Sequence, residues 1–192
     1  DLTLRKKYCI NKKLKVILSV GVLEDIKRVD LIIKAFNYLN NYDNDVLLLI
    51  AGEGNCKSQL IKLTENLNLK DKVWFLGNVS YANIHEIYNI SDVFVLASQT
   101  EASPSVIREA LACGIPTIST NVGDVNELIV GQCNGIIIEN PNVKNFYKSI
   151  KKILEIVDND SEMVKMTCNN ISRRYTIENM IVSILEVYKE LL

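Results

Sequence analysis

A surplus of charge of either sign is the first thing this sequence lacks: 22 Lys and Arg residues stand against 23 Asp and Glu, a formal net charge of -1. Phosphate-backbone binding needs a basic surplus, so no nucleic-acid partner is expected. Long apolar runs are missing as well. The longest, Val46 to Ala51, falls far short of the ~20 residues that cross a bilayer as a helix. The first residues carry no charged-then-apolar leader, and any membrane contact is expected to be peripheral. Cys9, Cys56, Cys113, Cys133 and Cys168 are scattered and never form a C-x-x-C pair. Neither a disulfide framework nor a zinc site is implied; each reads as a small apolar residue in a reducing compartment. Three prolines and eight glycines in 192 residues leave no Pro- or Gly-rich hinge, and no internal repeat or low-complexity linker divides the chain. It reads as one domain of ordinary globular composition, long enough to bury a full core.

What is present is an alternation. Short β-branched runs at Lys15–Val20, Val46–Ala51, Val73–Leu76, Val93–Ala97, Pro116–Ser119 and Gly135–Ile138 are separated by segments of helical period. That order predicts a parallel six-stranded α/β sheet covered by helices on both faces, with strands buried on both sides. Asp30–Leu39 aligns Leu31, Ile32, Ala35, Phe36 and Leu39 along one stripe, and Gln59–Leu67 does the same with Leu60, Leu63 and Leu67; both are expected to be crossover helices. After the last strand the alternation stops. Val143–Val157, Glu162–Ser172 and Ile177–Leu192 are expected to form a mainly helical extension over 143–192, packed on the sheet or reaching toward a neighbouring domain. Residues 1–14 are basic and partly helical, as in a chain entering from elsewhere.

Open α/β sheets bind ligands beyond the carboxyl ends of their strands. After the first strand comes Gly21-Val22-Leu23-Glu24-Asp25-Ile26-Lys27, a glycine for close approach and a lysine that serves a phosphate or is simply solvated. After the second comes Gly52-Glu53-Gly54, but Lys57 stands where a dinucleotide fingerprint needs its third glycine, so a tight turn into a helix is expected there. No G-x-x-x-x-G-K-[ST] loop exists, which excludes a P-loop NTPase. The first strand ends without the acidic cluster of a receiver domain. The informative stretch is Glu101 through Pro116: Ser103 is expected as N-cap, Pro104 as first helical residue, and Gly114 with Pro116 as the stop. At about 100° per residue, Val106, Ile107, Ala110 and Leu111 share one face, Arg108 points away, and Glu109 lies at the edge of the apolar arc. Two carboxylates thus flank a helix N-terminus that favours an anion. A nucleotide sugar, with hydroxyls on both sides of a diphosphate, suits that arrangement; the alternative is a glutamate that only complements the helix dipole and another that is ordinary surface.

At these residues the chain resembles the retaining glycosyltransferases of the GT-B fold, the glycosyltransferase family 4 or group 1 type. The resemblance runs through Ser19-Val20-Gly21 with Lys27 and Val29-Asp30, then Ile50 to Gly54, Val73 to Gly77, Ser91 to Val95, and Glu101 to Gly123, with Glu101 and Glu109 as the paired glutamates. It implies the Rossmann-like C-terminal half of a GT-B fold, which binds the donor, with the acceptor-binding N-terminal domain absent. By resemblance, Glu101 would bind donor-sugar hydroxyls and Glu109 the ribose hydroxyls. The helix N-terminus at Ser105 and Val106, with Ser103 and Pro104 beside it, would hold the diphosphate together with Lys27 and the loop at Gly21. The loop Gly77–Ser80, with Asn78 and Val79, would lie against the base. Lys27 and Glu101 would carry catalysis. The donor would be a UDP- or GDP-sugar and the acceptor a glycan or lipid-linked hydroxyl reached through the missing domain, in bacterial surface glycan synthesis. The location would be cytoplasmic, with no metal and no further cofactor. A non-catalytic nucleotide-binding module, or a sugar-nucleotide epimerase of the same fold, is the alternative. Two departures stand out: Val22 occupies the place of an arginine that pairs with the lysine on the diphosphate, and Ala102-Ser103 replaces a glycine followed by a bulky residue. Asp43-Asn44-Asp45 and Asp158-Asn159-Asp160 imitate a metal-binding D-x-D but are expected to be turns. His85 is expected to be structural or surface, and Trp74 and Phe75 to be core.

Overall fold

The computed structural model describes residues 1–190, so the last two positions of the expected final helix lie outside the described residues. Six strands, β1 (Lys15–Val20), β2 (Val46–Ala51), β3 (Val73–Gly77), β4 (Val93–Leu96), β5 (Thr117–Thr120) and β6 (Gly135–Ile138), form one sheet. All pairs are parallel and the order is β3-β2-β1-β4-β5-β6. This is the Rossmann-like architecture expected. Its chain reverses direction of winding between β1 and β4, and the loops that follow those two strands therefore open a crevice.

The helices are α1 (Leu2–Lys7), α2 (Val29–Tyr42), α3 (Lys57–Asn66), α4 (Ile84–Asn89), α5 (Ser105–Ala112), α6 (Val125–Leu128), α7 (Val143–Asn159), α8 (Ser161–Ser172) and α9 (Ile177–Glu190). One face of the sheet is covered by α2, α3 and α7, whose Ile32, Phe36, Leu60, Phe146, Ile150 and Ile153 pack on Ile17, Leu48 and Val95. The other is covered by α4, α5, α6 and α8, meeting Val16, Leu18, Leu49 and Phe94. In α7, Phe146, Ile150, Ile153 and Leu154 repeat at helical spacing and are all buried, each worth about 2 kcal/mol of transfer free energy. Thus α7 and α8 belong to the packed domain. Among the described residues α9 stands off it, with Met180, Ile181, Ile184 and Leu185 about half exposed.

One expectation needs correction. Strands buried on both faces were expected throughout, and β2 does bury all six of its residues, but Trp74, Phe75, Leu76 and Gly77 of β3 are only half-buried, as are Ile136 and Ile137 of β6. These two strands are the edges of the sheet. Trp74 and Phe75 consequently pack at the rim of the two cores rather than inside them.

The two acidic D-N-D strings are structural; the first is a bend after α2, as expected, but the second is not a turn, since Asp158 and Asn159 end α7 and Asp160 is the cap between α7 and α8. Asp43 accepts from the Asp45 amide at 2.8 Å, Asp160 caps α8 by accepting from the Met163 amide at 2.9 Å, and Asp158 pairs with Lys15. Among the described residues no group of three His, Cys, Asp or Glu could hold a metal ion.

The turn into β6 depends on one buried amide. Asn134 is fully buried; its Nδ2 donates to the Leu128 carbonyl at 2.7 Å, and its Oδ1 accepts from the Val130 and Gly131 amides at 3.1 Å each. Truncation leaves those three backbone groups unpaired, so Asn134→Ala is expected to cost about 2 kcal/mol. A thermal melt should record that as a fall of roughly 4–8 °C for a domain of this size.

Candidate functional site

The crevice starts from three glycine turns at the carboxyl ends of β1, β2 and β3. Gly21 N–H donates to Ala51 O at 3.0 Å, Gly52 N–H to Gly77 O at 2.8 Å, and Leu23 N–H to Glu53 O at 2.8 Å. A Cβ built on Gly52 would lie 1.9 Å from Gly21 O, and one on Gly54 would lie 2.4 Å from Leu23 O. Gly52-Glu53-Gly54 is therefore more than a turn into α3: both glycines leave room for the backbone of the loop after β1. Gly21 sits at φ +153° with open space where a side chain would be.

That loop closes as a 3-10 turn over Asp25–Lys27, followed by Arg28 in the left-handed region at φ 47° and ψ 42°. The Arg28 guanidinium pins the turn across the switch point, with Nε donating to Ala97 O at 2.8 Å. Lys27 is thereby aimed at the loop after β4. Its Nζ lies 2.5 Å from Glu101 Oε1, which also accepts from Ser98 Oγ at 2.6 Å. Both side chains are largely withdrawn from solvent, 25% exposed for Lys27 and 17% for Glu101. Both bonds fall on Oε1, leaving Oε2 for another donor.

The start of α5 differs from the expectation. Ser103 is not the N-cap and Pro104 is not the first helical residue; Pro104 takes the cap position with extended backbone, φ -71° and ψ 101°, and α5 begins at Ser105. The reason is competition for the Ser103 hydroxyl. Arg108 Nη1 donates to it at 2.8 Å, it donates to Asp124 Oδ2 at 3.1 Å, and Arg108 is ion-paired with Asp124. Arg108 does not point into solvent either; it braces the loop 101–104 against the start of α6, and a Cβ on Gly123 would meet the Ala102 carbonyl at 2.5 Å. No side chain caps α5, so the leading amides at Ser105 and Val106 remain available to an anion.

Glu109 lies one turn into α5, half-buried at the crevice edge. Its Oε1 accepts from Ser105 Oγ at 3.1 Å and its Oε2 from the Tyr88 hydroxyl at 3.0 Å. Burial, with the Glu109 charge beside it, pushes the Tyr88 phenol far above its ordinary range, so it stays a donor. Burial, then Glu109, raises the Cys113 thiol as well, and burial pushes Cys168 up to about 12. Neither thiol ionises near neutral pH, in keeping with these two as apolar fillers, whereas Cys9 is exposed and the Cys56 thiol donates to Asp25.

Gly77, at φ +67°, joins the site through its bond to Gly52; Asn78 is exposed and Val79 half-buried against the α4 side of the core. No hydrogen bond among the described residues links this loop to Lys27, Glu101 or Glu109. Val22 is 51% exposed, and the Nε of nearby Arg28 is engaged by the Ala97 carbonyl. His85 is exposed on α4. A groove of about 490 Å³ between β6 and α7, lined by Val130, Gln132, Lys148 and Lys152, and another of about 340 Å³ beside Glu24, Arg28 and Cys56, both exclude Glu101 and Glu109.

Ser98, Tyr88, Arg108 and Asp124 were not among the residues picked out from sequence as binding groups. Only Arg108, inside the stretch from Glu101 to Gly123, and Asp124, directly after it, lie close to that stretch in sequence.

Comparison with known proteins places these residues in context. The family model described as Glycosyl transferases group 1 matches residues 2–170. The chain is 34% identical over 140 residues to N-acetyl-alpha-D-glucosaminyl L-malate synthase of Bacillus anthracis, covering 72% of this chain and 36% of that one. It is 33% identical over 142 residues to N-acetylgalactosamine-N,N'-diacetylbacillosaminyl-diphospho-undecaprenol 4-alpha-N-acetylgalactosaminyltransferase of Campylobacter jejuni, covering 73% and 38%. The chain thus spans less than half the length of these relatives. Among solved structures, a glycosyltransferase from Rickettsia africae superposes with a TM-score of 0.85 at 24% identity, over 98% of this chain and 51% of that one. Anabaena HepE in complex with UDP-glucose superposes at 0.84 with 20% identity, over 98% and 52%. These last two likenesses speak for the fold.

Proposed function

The chain belongs to the glycosyl transferases group 1 family, and on that premise we propose that it is the donor-binding domain of a retaining glycosyltransferase acting on a nucleoside-diphosphate sugar. One observation carries the reading: at the β1/β4 switch point a withdrawn Lys27–Glu101 pair stands beside the uncapped start of α5. Lys27 and the α5 amides would take the diphosphate, Glu101 Oε2 a sugar hydroxyl, and Glu109 the ribose diol, with Gly21 admitting the phosphates and Gly77 to Val79 lying along the base. In transfer, the bond from the anomeric carbon to the diphosphate oxygen would break as the acceptor oxygen bonds to that carbon on the same face, the acceptor's proton passing to the departing diphosphate. Lys27 and the helix N-terminus stabilise the charge left on the diphosphate, so the scheme calls on no metal. The acceptor, a glycan or lipid-linked hydroxyl in bacterial glycan synthesis, would be bound by a further domain; the apolar face that α9 leaves uncovered fits such a neighbour. The chain by itself would bind donor without turning it over. No helix among the described residues is long and apolar enough to cross a membrane, and a cytoplasmic setting is part of the proposal.

Neighbours whose structures contain UDP support uridine as the first base to test, with GDP- and ADP-linked donors beside it. Isothermal titration should give saturable binding of one nucleoside diphosphate. Glu109→Ala is expected to weaken it roughly 10–30-fold, as loss of a charged acceptor for two hydroxyls would. No binding of UDP, GDP or ADP would overturn the reading. Exposed Val22 keeps a second reading in view, a binding module without catalysis, which would be favoured if longer protein containing this chain binds donor but transfers to no acceptor.

A further inference from the structure

We propose that Tyr88 of α4 is a positioning residue for the nucleotide, fixing the Glu109 carboxylate so that its remaining lone pairs meet the ribose diol. The inference rests on the donor-site reading above and adds to it a residue from another element. Tyr88 is among the largest side chains that the fold buries completely, 1% exposed, with its ring tilted against Phe94 at 5.9 Å between centroids. A phenol in such a place needs a partner for its hydroxyl, since an unpaired buried donor is costly. Its single proton has two acceptors within reach, Glu109 Oε2 at 3.0 Å and the Val106 carbonyl at 3.3 Å. The carboxylate is the shorter and the charged one, and a charge-assisted bond is the stronger.

The consequence for Glu109 is geometric. A carboxylate offers about four lone-pair directions. Ser105 Oγ takes one on Oε1 and Tyr88 takes one on Oε2, which leaves one on each oxygen. Two remaining acceptor sites on one planar group match in number the two hydroxyl donors of a vicinal diol. Ser105 lies on the same helix as Glu109 and is exposed, whereas Tyr88 reaches it from the core. The rigid partner is therefore Tyr88, and without its bond the Glu109 carboxylate would be held only by the exposed Ser105 hydroxyl. Burial and the Glu109 charge both hold the phenol protonated, so it remains a hydrogen-bond donor to the carboxylate.

The test uses Tyr88→Phe, which keeps the ring and removes only the hydroxyl, with Glu109→Ala and the double variant beside it. Titrations are made with UDP and with 2′,3′-dideoxy-UDP, and a thermal melt checks folding. Tyr88→Phe is expected to weaken UDP about tenfold, to leave dideoxy-UDP unchanged, and to add nothing to Glu109→Ala in the double variant. Equal weakening of both nucleotides, or no weakening of UDP, overturns the role for Tyr88 while leaving the donor site standing. If UDP binds but Glu109→Ala leaves it untouched, the ribose role of Glu109 fails, and the role of Tyr88 fails with it.

Discussion

Gly52→Ala is expected to lower the melting temperature by roughly 10–15 °C and to remove nucleotide binding. Two independent penalties meet at this position. Gly52 has φ +139°, a backbone setting that side chains rarely adopt and that is worth about 1–3 kcal/mol of strain. The added methyl would also stand 1.9 Å from the Gly21 carbonyl, and backbone cannot swing aside as a side chain tip can, so overpacking adds about 1–3 kcal/mol. The sum, about 4 kcal/mol, converts at about 2–4 °C per kcal/mol for a domain of this length. The only relief is for the loop after β1 to retreat, and that loop carries Gly21 and leads into Lys27. Gly21→Ala is the control. It shares a positive φ but meets nothing within 4 Å, so its melt should fall by less than half as much. A Gly52→Ala protein that melts within about 3 °C of the parent would mean the clash is relieved elsewhere, and the role assigned to this glycine would be wrong.

Lys27→Met should weaken UDP about 100-fold while leaving the binding of uridine itself unchanged. Methionine keeps most of the apolar stem and deletes the charge. In the free protein Lys27 faces Glu101 at 2.5 Å with both largely withdrawn from water. Truncating one partner of a desolvated charge pair costs about 2–5 kcal/mol in binding when the other partner is a ligand; about 3 kcal/mol is the 100-fold stated. Because Val22 supplies no second cation, the loss is concentrated in one side chain. Titration with UDP, UMP and uridine checks it, the deficit appearing with the diphosphate and fading as phosphates are removed. Equal losses for uridine and UDP would point to a collapsed loop, and no loss at all would move the diphosphate away from Lys27.

Much of this was legible from residues alone. Each strand lies where its β-branched run stands, β5 displaced by one residue because Pro116, without an N–H, precedes rather than starts the ladder. The two glutamates flanking a helix start and the lysine after the first strand stood out in the sequence, but their roles came from the family resemblance and not from spacing. The cap of α5 was misread, since Ser103 satisfies every local rule for an N-cap yet is held by Arg108 and Asp124.

What the amino-acid order determined by itself is whatever repeats over a few residues: the period of each strand and helix, the parallel winding that follows from their alternation, and the glycine and proline stops. What only the tertiary structure decided is which distant groups meet. Lys27 finds Glu101 across 74 residues and Tyr88 finds Glu109 across 21; β3 and β6 became edges only when the sheet closed its order. Periodicity is a property of neighbours along the chain, whereas ion pairing, exposure at an edge and the room beside a glycine depend on the packing of elements that no local pattern encodes.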